Sequence, residues 1–195
     1  MRERQLIPIE VAGSAISGAV SLLLEDPDIG EVFWWWRPET ATRPPGPWSS
    51  AEGTRLFAVA EKGAGIIGLA ALSNIRREER YARLSCAVAA PYRLAGAGHW
   101  AATETIRRGV RLDDLRHVEA FVPEGGDTAR RVLESMGFRA LVHGASFAHD
   151  EARPQGHLCL RLDLPAQPKG HFLMAPQQAP VARPHLRALP TALFA

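Results

Sequence analysis

The sequence predicts a mixed α/β layer fold, and three observations support this prediction. Segments with the two-residue alternation of β-strands recur along the chain, and segments with helical periodicity lie between them. Three of the strands follow one another with only short turns between them, which indicates an antiparallel meander. The predicted order is strand, helix, three strands, helix, strand, helix, strand, as expected for helices packed on a sheet.

The N-terminal part of the chain begins with a predicted strand over Arg4 to Ile9 and a predicted helix over Ala12 to Glu25. Apolar residues between Ile16 and Leu24 fall on one face of this helix. The following residues, Asp26 to Ser50, contain four tryptophans and several prolines. Because proline removes a backbone donor and fixes φ, this stretch is predicted to be irregular, with at most short helical turns.

The meander is predicted over the next three apolar segments. Its strands are Arg55 to Glu61, Ile66 to Ile75 and Ala82 to Ala89, joined by a glycine turn at Lys62 to Gly65 and a charged turn at Arg76 to Arg80. A glycine-bearing loop then leads into a predicted helix over Gly98 to Val110, and single strands follow at His117 to Val122 and His157 to Leu164.

A further helix is predicted between the last two strands. Asp127 is expected to cap it, and the apolar residues from Ala129 to Met136 have helical spacing. Gly137 is expected to end the helix in the left-handed conformation, with Phe138 packing back over its last turn.

Composition limits the classes of partner. A formal net charge of +2 is close to balance, so nothing indicates a nucleic-acid partner. No apolar run approaches the roughly 18 residues of a membrane span, so no membrane partner is expected. The two cysteines, Cys86 and Cys159, have no metal-ligand spacing and form no disulfide framework. We therefore expect a reduced, cytoplasmic protein without a metal.

Two regions are predicted. Residues 1–164 form one domain, whereas residues 165–195 are rich in proline, alanine and glutamine and are expected to be a tail that buries no core of its own.

One glycine motif matches the dinucleotide fingerprint G-x-G-x-x-G, at Gly63 to Gly68. That fingerprint must open a helix, whose N-terminus holds the pyrophosphate of the nucleotide. Here only about ten residues follow before a charged turn, too few for a parallel crossover unit of roughly thirty residues. A glycine turn between two hairpin strands explains the same residues. The alternative is a nucleotide-binding oxidoreductase, which requires a helix at Ile66 to Ile75, whereas the hairpin requires a strand there.

A second glycine loop, Arg93 to Gly98, lies between a predicted strand and a predicted helix. Glycines at this position allow successive backbone N–H groups to face one anion, and the helix dipole adds positive potential. No Lys-Ser or Lys-Thr pair follows, so the loop is not a Walker motif. It is either an anion-binding loop or an ordinary glycine-rich turn.

Two motifs in this order resemble the GNAT (GCN5-related) acyltransferases. The segment Val88-Ala89-Ala90-Pro91-Tyr92-Arg93-Leu94-Ala95-Gly96-Ala97-Gly98 is similar to the acyl-CoA motif (Gln or Arg)-x-x-Gly-x-(Gly or Ala) and the strand end before it. The segment from Ala129 to Phe138 resembles the family's next helix, which commonly ends in Gly-Phe. The resemblance covers about Arg4 to Leu164 and looks closest to the branch that acetylates protein N-termini and small-molecule amines.

The resemblance implies a mixed, mostly antiparallel central sheet flanked by helices, with a splay between two parallel central strands, ending at Ala89 and Val122, where pantetheine inserts. It also implies which residues hold the coenzyme. The expected oxyanion donor is strand backbone at Ala87 and Val88, and the other expected coenzyme-binding residues are Arg93, Leu94, Ala95, Gly96, Ala97, Gly98 and Arg131.

Two positions depart from the family pattern. Many members have Asn where this chain has Gly126, and many have a Tyr shortly after the Gly-Phe that serves as general acid. The two tyrosines of this chain, Tyr81 and Tyr92, are both upstream. Coenzyme binding is therefore better supported by the resemblance than any catalytic acid is.

The candidates for catalysis come from position along the predicted sheet. Glu119 lies on the strand that lines the splay and is the predicted base, with a solvated or salt-bridged strand glutamate as the alternative. Ser146 follows the Gly-Phe at a suitable distance and is the predicted acid, with His143 beside it. Trp35 and Trp36 are predicted to form an aromatic wall for the acceptor, with core packing or a subunit interface as alternatives.

The sequence thus predicts an acyl-CoA-dependent N-acyltransferase. Its expected reaction is the transfer of an acyl group, with acetyl as the first candidate, from acetyl-CoA or another acyl-CoA to a primary amine of a small molecule or peptide. A homodimer is a further expectation. The main alternative is a catalytically silent domain of the same fold that binds acyl-CoA or a protein partner.

Overall fold

The computed structural model describes residues 3–9, 14–33, 53–141 and 156–165, within a compact unit that spans Met1–Pro165. Seven strands form one sheet in the order β1-β2-β3-β4-β5-β7-β6. Their bounds are β1 Arg4–Pro8, β2 Arg55–Glu61, β3 Gly65–Arg76, β4 Tyr81–Val88, β5 His117–Pro123, β6 Arg139–Ala140 and β7 His157–Asp163. Residues 166–195 lie outside the described part of the chain, so the predicted tail stays a prediction.

The pairing of the strands confirms the predicted mixed, mostly antiparallel sheet. Every described pair is antiparallel except β4 and β5, which run parallel because helix α3 (Ala97–Asp113) connects them. The predicted strands and their meander are confirmed within two residues at each end. The two-residue strand β6, which pairs with β7, was not predicted.

The hairpin of β2 and β3 excludes the nucleotide fingerprint at Gly63 to Gly68. Residues 62–64 form the turn, and Ile66 to Ile75 lie inside β3 rather than in a helix. Gly63 and Gly65 have φ values of +83° and +80°, which a tight hairpin turn requires and glycine adopts without strain. The oxidoreductase alternative is therefore wrong.

Three further helices flank the sheet: α1 Ser14–Leu24, α2 Pro27–Val32 and α4 Asp127–Ser135. Helix α2 lies within the stretch predicted to be irregular. Its first residue is Pro27, where the missing N–H costs nothing, and the Asp26 carboxylate accepts a hydrogen bond of 3.0 Å from the Asp28 N–H. Asp26 and Pro27 therefore start this helix.

Helix α4 differs from the prediction at its start and agrees at its end. Gly126 is the N-cap and Asp127 the first helical residue, without a side-chain cap hydrogen bond, so the predicted Asp127 cap is wrong. At the other end Gly137 has a φ of +96°, and the Phe138 N–H donates to the Leu133 carbonyl at 3.1 Å. This confirms the predicted glycine stop and places Phe138 in the core, where it is buried.

Apolar side chains cover both faces of the sheet. On one face, alternate residues of β4, β5 and β7 pack against α3 and α4, among them Leu84, Ala120 and Leu160. On the other face, residues of β2 and β3 pack against Val20 of α1 and Ile29 of α2. Alternate residues of β4, β5 and β7 therefore point toward α3 and α4 or away from them, and the parity of a residue within each of these strands decides which.

Candidate active site

The site is built where the two parallel strands separate. Strands β4 and β5 pair only from Tyr81 and His117 to Leu84 and Ala120. Beyond this point β4 stays paired with β3 on its outer side, and β5 stays paired with β7. Because the outer ladders hold both strands in place, their inner edges part beyond Leu84 and Ala120. This confirms the predicted splay.

A cavity of about 530 Å³ opens at the splay and has walls on both faces of the sheet. On the face of α3 and α4 its wall is apolar, and on the face of α2 its wall carries polar and charged groups. The first wall includes Leu84, Cys86, Val88, Ala102, Ala120, Val122, Ala129, Val132 and Leu133, and the second includes Asp28, Glu31, Arg83, Ser85, Ala87, Phe121 and His157. The cavity can therefore accept an extended apolar chain on one side and a polar molecule on the other.

The loop Arg93 to Gly98 lies at the rim of this cavity. Leu94 and Gly96 have φ values of +62° and +74°, and Gly96 is the N-cap of α3. The N–H groups of residues 94–96 donate to no backbone acceptor among the described residues. Cβ atoms built on Gly96 and Gly98 would meet no atom within 4 Å, so the space beside these amides is open. Backbone amides of the loop and of the N-terminus of α3 therefore face the same open space, an arrangement that suits the binding of a phosphate group.

The Arg93 side chain holds this loop against α2. Its Nε donates to the Val88 carbonyl at 3.0 Å, and its guanidinium contacts the carboxylates of Asp28 at 2.5 Å and Asp26 at 3.5 Å. Because these carboxylates occupy the guanidinium, Arg93 offers the cavity chiefly its backbone. The Asp28 charge is largely compensated by the same pair.

The predicted oxyanion residues Ala87 and Val88 both line the cavity, at the end of β4 beyond the last β5 partner. Their opposite edge packs tightly on β3. A Cβ atom built on Gly68 would lie 2.4 Å from the Ala87 carbonyl oxygen and 2.8 Å from Val88 Cγ1. The close approach of Gly68 fixes the strand end that the splay exposes.

Glu119, the predicted base, is fully buried and is not among the residues that line the cavity. The Tyr81 hydroxyl donates to its carboxylate at 3.3 Å, and Arg161 Nη2 lies 3.2 Å from it. Burial, together with the charge of Glu119, raises the pKa of Tyr81 well above its usual range. These contacts are those of a buried ion pair, and the role of Glu119 as base stays a prediction.

The other predicted site residues are placed as follows. Arg131 lies on α4, outside the cavity wall, where its Nε donates to the Asp127 carbonyl at 3.3 Å. Leu94 is 91% exposed at the rim, and the Arg4 guanidinium donates to the Ala95 carbonyl at 3.0 Å. Ser146, Trp35 and Trp36 lie outside the described residues, as does His143, so their roles stay predictions.

Cys86 packs against the core and also forms part of the apolar cavity wall. It is half-buried, with its Sγ 3.7 Å from the Gly98 carbonyl oxygen. The protein atoms around the sulfur desolvate the thiolate and raise the pKa of Cys86 to about 12.

Cys86 is therefore expected to alkylate slowly although it faces a cavity. At pH 8 a raised pKa leaves less thiolate than in an unfolded chain, so iodoacetamide should label it at least about tenfold more slowly than in urea. Peptide mass spectrometry separates its labelling from that of buried Cys159. Equal rates in the folded and unfolded chain would contradict this environment.

Six polar groups of the cavity were not singled out from the sequence: Asp28, Glu31, Arg83, Ser85, His99 and Thr128. They come from four elements, α2, β4, α3 and α4, and the fold brings them together. Arg83 is the clearest case, because its guanidinium lies 4.6 Å from the Phe121 ring centroid, across the splay. The alternation of residues along β4 could have placed Arg83, Ser85 and Ala87 on one face of the sheet. It could not have predicted which residues of other elements lie opposite them.

The described residues contain no group of three or more His, Cys, Asp and Glu side chains that could hold a metal ion. None of the helices in that part of the chain combines the length and the hydropathy that a membrane span needs.

Comparisons with known proteins agree with this geometry. The family model for the acetyltransferase (GNAT) domain matches residues 19–139, more than half of the chain. No curated protein sequence matches significantly.

Solved structures with a similar fold include acetyltransferases of two bacteria. Spermidine N-acetyltransferase from Vibrio cholerae in complex with CoA and spermine is 16% identical, with a TM-score of 0.65 over 82% of this chain and 95% of that one. A dodecameric structure of that enzyme is 15% identical, with a TM-score of 0.64 over 82% and 93% of the two chains. N-acetyltransferase PseH from Campylobacter jejuni in complex with acetyl coenzyme A is 15% identical, with a TM-score of 0.58 over 83% and 99%.

At such low identity these structures show a shared fold. The family match covers the splayed strands, the glycine loop and helix α4, all of which contribute residues to the cavity wall. The chain therefore belongs to the GNAT acetyltransferase family.

Proposed function

We propose that this protein transfers an acyl group, in the first place acetyl, from acyl-coenzyme A to a primary amine of a small molecule or peptide. The proposal rests on the cavity at the splay of β4 and β5. This cavity has a rim with open backbone amides, an apolar wall on one face of the sheet and a polar wall on the other. These match the parts of the reaction: a pyrophosphate, an apolar arm that ends in a thioester, and an amine.

The coenzyme fits the residues present. The open amides of Arg93 to Gly98 would bind the pyrophosphate, and the apolar wall on the face of α3 and α4 would receive the pantetheine arm. Backbone of Ala87 and Val88 would then lie where the thioester oxygen develops negative charge. Arg131 is kept as a coenzyme contact from α4, from which its exposed guanidinium could reach a phosphate outside the cavity.

The protein's main contribution to this reaction is to hold the two reactants together. When the amine nitrogen attacks the carbonyl carbon, the C–N bond forms and the C–S bond breaks, with its electron pair on sulfur. Fixing both partners in one cavity removes much of the entropic cost of their encounter. Glu119 as base and Ser146 as acid remain proposals for the proton transfers.

The acceptor side of the cavity favours a cationic amine. Glu31 lines it from α2, and Asp28 lies beside it but is paired with Arg93. A carboxylate at the entrance attracts an ammonium group and raises the rate of encounter. The spermidine enzyme of similar fold supports a small amine as acceptor, and its dodecamer supports a homo-oligomer, which we propose together with a cytoplasmic location.

Replacing Trp35 or Trp36 with alanine is expected to raise the KM for the acceptor and leave acetyl-CoA affinity nearly unchanged. These residues follow α2, whose residues Glu31 and Val32 line the polar wall. An aromatic wall supplies binding area and cation affinity but transfers no proton. Acceptor kinetics and thermal melts on the same variants are the measurement. A core role would instead cost ~3–5 kcal/mol of stability with unchanged KM, and this outcome would contradict the acceptor wall.

The proposed function is tested by following thiol release from acetyl-CoA with a panel of amines. The panel includes polyamines, amino sugars, amino acids and peptides with free N-termini, and mass spectrometry identifies the acetylated product. Amine-dependent release with an acetylated product supports the enzyme. Tight binding of acetyl-CoA with no amine-dependent release across the panel would favour the catalytically silent domain, which the missing tyrosine after Gly137-Phe138 already makes a serious alternative.

A further inference from the structure

We infer that the imidazole of His157 accepts the proton of the attacking amine. This inference rests on the proposed function, since it assigns a role within that reaction. It starts from a chemical need: a protonated amine must lose a proton to become a nucleophile, and a positioned side chain that takes this proton accelerates the step.

The titratable side chains of the cavity wall leave few groups for this role. Arg83 and Arg93 keep their charge at all relevant pH values and cannot accept a proton. Asp28 is an exposed carboxylate, and a carboxylate is a much weaker base than imidazole. Cys86 belongs to the apolar wall, on the opposite face of the sheet from the acceptor side.

Three groups remain: Glu31, His99 and His157. His99 follows Gly98 in the first turn of α3, so it lies with the phosphate cradle rather than with the acceptor. Glu31 is exposed on α2, and an exposed carboxylate is a much weaker base than imidazole. An imidazole changes its charge between about pH 5 and 8, which suits a base at neutral pH.

The backbone of His157 is fixed at the mouth of the splay. It is the first residue of β7 and pairs with Pro123, the last residue of β5. Just before it, the Glu124 N–H donates to the Gly156 carbonyl at 2.6 Å. His157 is half-buried, and the alternation of β7 places it on the same face as Cys159, opposite the leucines that pack on α3 and α4.

His157 therefore shares the acceptor face with Phe121 and, across the splay, with Ser85 and Ala87. Ala87 is one of the two residues proposed to meet the thioester oxygen. A group at this rim, on this face, lies on the side from which an amine must approach the carbonyl carbon.

The charges around the imidazole are mixed. The titratable and charged groups on this face of the sheet include Arg83 on β4, His117 and Glu119 on β5, Arg139 on β6 and Arg161 and Asp163 on β7, while α2 supplies Asp28 and Glu31 and the turn after β5 supplies Glu124. Glu119 and Arg161 compensate each other at 3.2 Å, and Asp28 is paired with Arg93. The acceptor side thus has charges of both signs near the base.

The proton balance is simple. The neutral imidazole takes one proton from the ammonium group, and the imidazolium returns it to solvent. The neutral amine then forms the C–N bond, and the thiolate leaves with the electron pair of the C–S bond. The nitrogen releases a second proton to solvent as the amide forms, and the thiolate takes one proton from solvent.

His157→Gln is expected to lower kcat with a good amine acceptor by about 10²- to 10⁴-fold at pH 7 and to leave the Kd for acetyl-CoA within twofold. The deficit should shrink as pH rises, because more of the amine is then neutral without help. Added imidazole should restore part of the rate to the variant and none to the wild type. His157→Asn provides the same comparison if the glutamine variant is poorly folded.

Two matched controls separate this role from a structural one. His117→Gln changes a strand histidine that lies outside the cavity wall and pairs with Asp163 at 2.8 Å, and it should leave the pH profile unchanged. Glu119→Gln removes the other proposed base. The inference about His157 would be overturned if the His157 variants kept the wild-type kcat and pH profile. It would also be overturned if Glu119→Gln, and not the His157 variants, lowered kcat in this pH-dependent way. Neither result would contradict the proposed function. A wild-type chain that acetylates no amine would overturn the proposed function as well.

Discussion

Replacing Gly96 with glutamate is expected to weaken acetyl-CoA binding by at least about a hundredfold. The substitution places a carboxylate where the open amides of Arg93 to Gly98 would meet the pyrophosphate. Hydrogen bonds to a charged group contribute ~1.5–3 kcal/mol each, and each 1.4 kcal/mol corresponds to a tenfold change in affinity. Losing two such bonds, with repulsion added, accounts for the expected loss.

The matched control for this variant is Gly96→Asn. Gly96 has a φ of +74°, so any side chain strains the loop, but asparagine tolerates the left-handed conformation better than most residues and carries no charge. Titration calorimetry with acetyl-CoA should show a far smaller loss for asparagine than for glutamate. Wild-type affinity in a folded glutamate variant would show that the pyrophosphate binds elsewhere.

Replacing Gly68 with alanine is expected to destabilise the fold by ~2–4 kcal/mol, and valine to prevent soluble folding. The added Cβ would lie 2.4 Å from the Ala87 carbonyl oxygen, and this neighbour is backbone that cannot rotate away. Either β3 or the end of β4 must shift. Because that end of β4 forms one side of the splay, the folded fraction of Gly68→Ala should also bind acetyl-CoA more weakly.

Gly18→Ala is the control for Gly68→Ala. Gly18 lies inside α1, and a Cβ atom there meets nothing within 4 Å, so alanine should raise stability by up to ~1 kcal/mol through helix propensity. Urea unfolding of both variants gives the two free energies of unfolding. A Gly68→Ala variant as stable as the wild type would contradict the close packing of β3 on the strand end.

Local pattern was sufficient to predict the antiparallel meander of the sheet. The alternation in β2, β3 and β4 and the glycine turn between Lys62 and Gly65 fix strands that pair with their sequence neighbours, so no long-range information was needed. The interpretation of Gly63 to Gly68 as a hairpin rather than a nucleotide loop depended on length alone, and it is confirmed.

The polar wall of the cavity was harder to predict, because it depends on contacts between distant parts of the chain. Asp28 and Arg93 are 65 positions apart, and nothing in either segment indicates that they meet at 2.5 Å. Helix α2 was missed for a local reason, since Pro27 breaks a helix in its interior but begins one at its first position. Glu119 was found on the correct strand, but its burial beside Tyr81 and Arg161 needs the neighbouring strands.

The most direct test of this account is a crystal structure of the protein with acetyl-CoA. The account predicts that the pyrophosphate lies on the amides of Arg93 to Gly98 and that the pantetheine arm runs between β4 and β5. The thioester should then lie beside Ala87 and Val88 and open toward the face that carries Glu31 and His157. Coenzyme bound outside the splay, with β4 and β5 enclosing no part of it, would contradict the account.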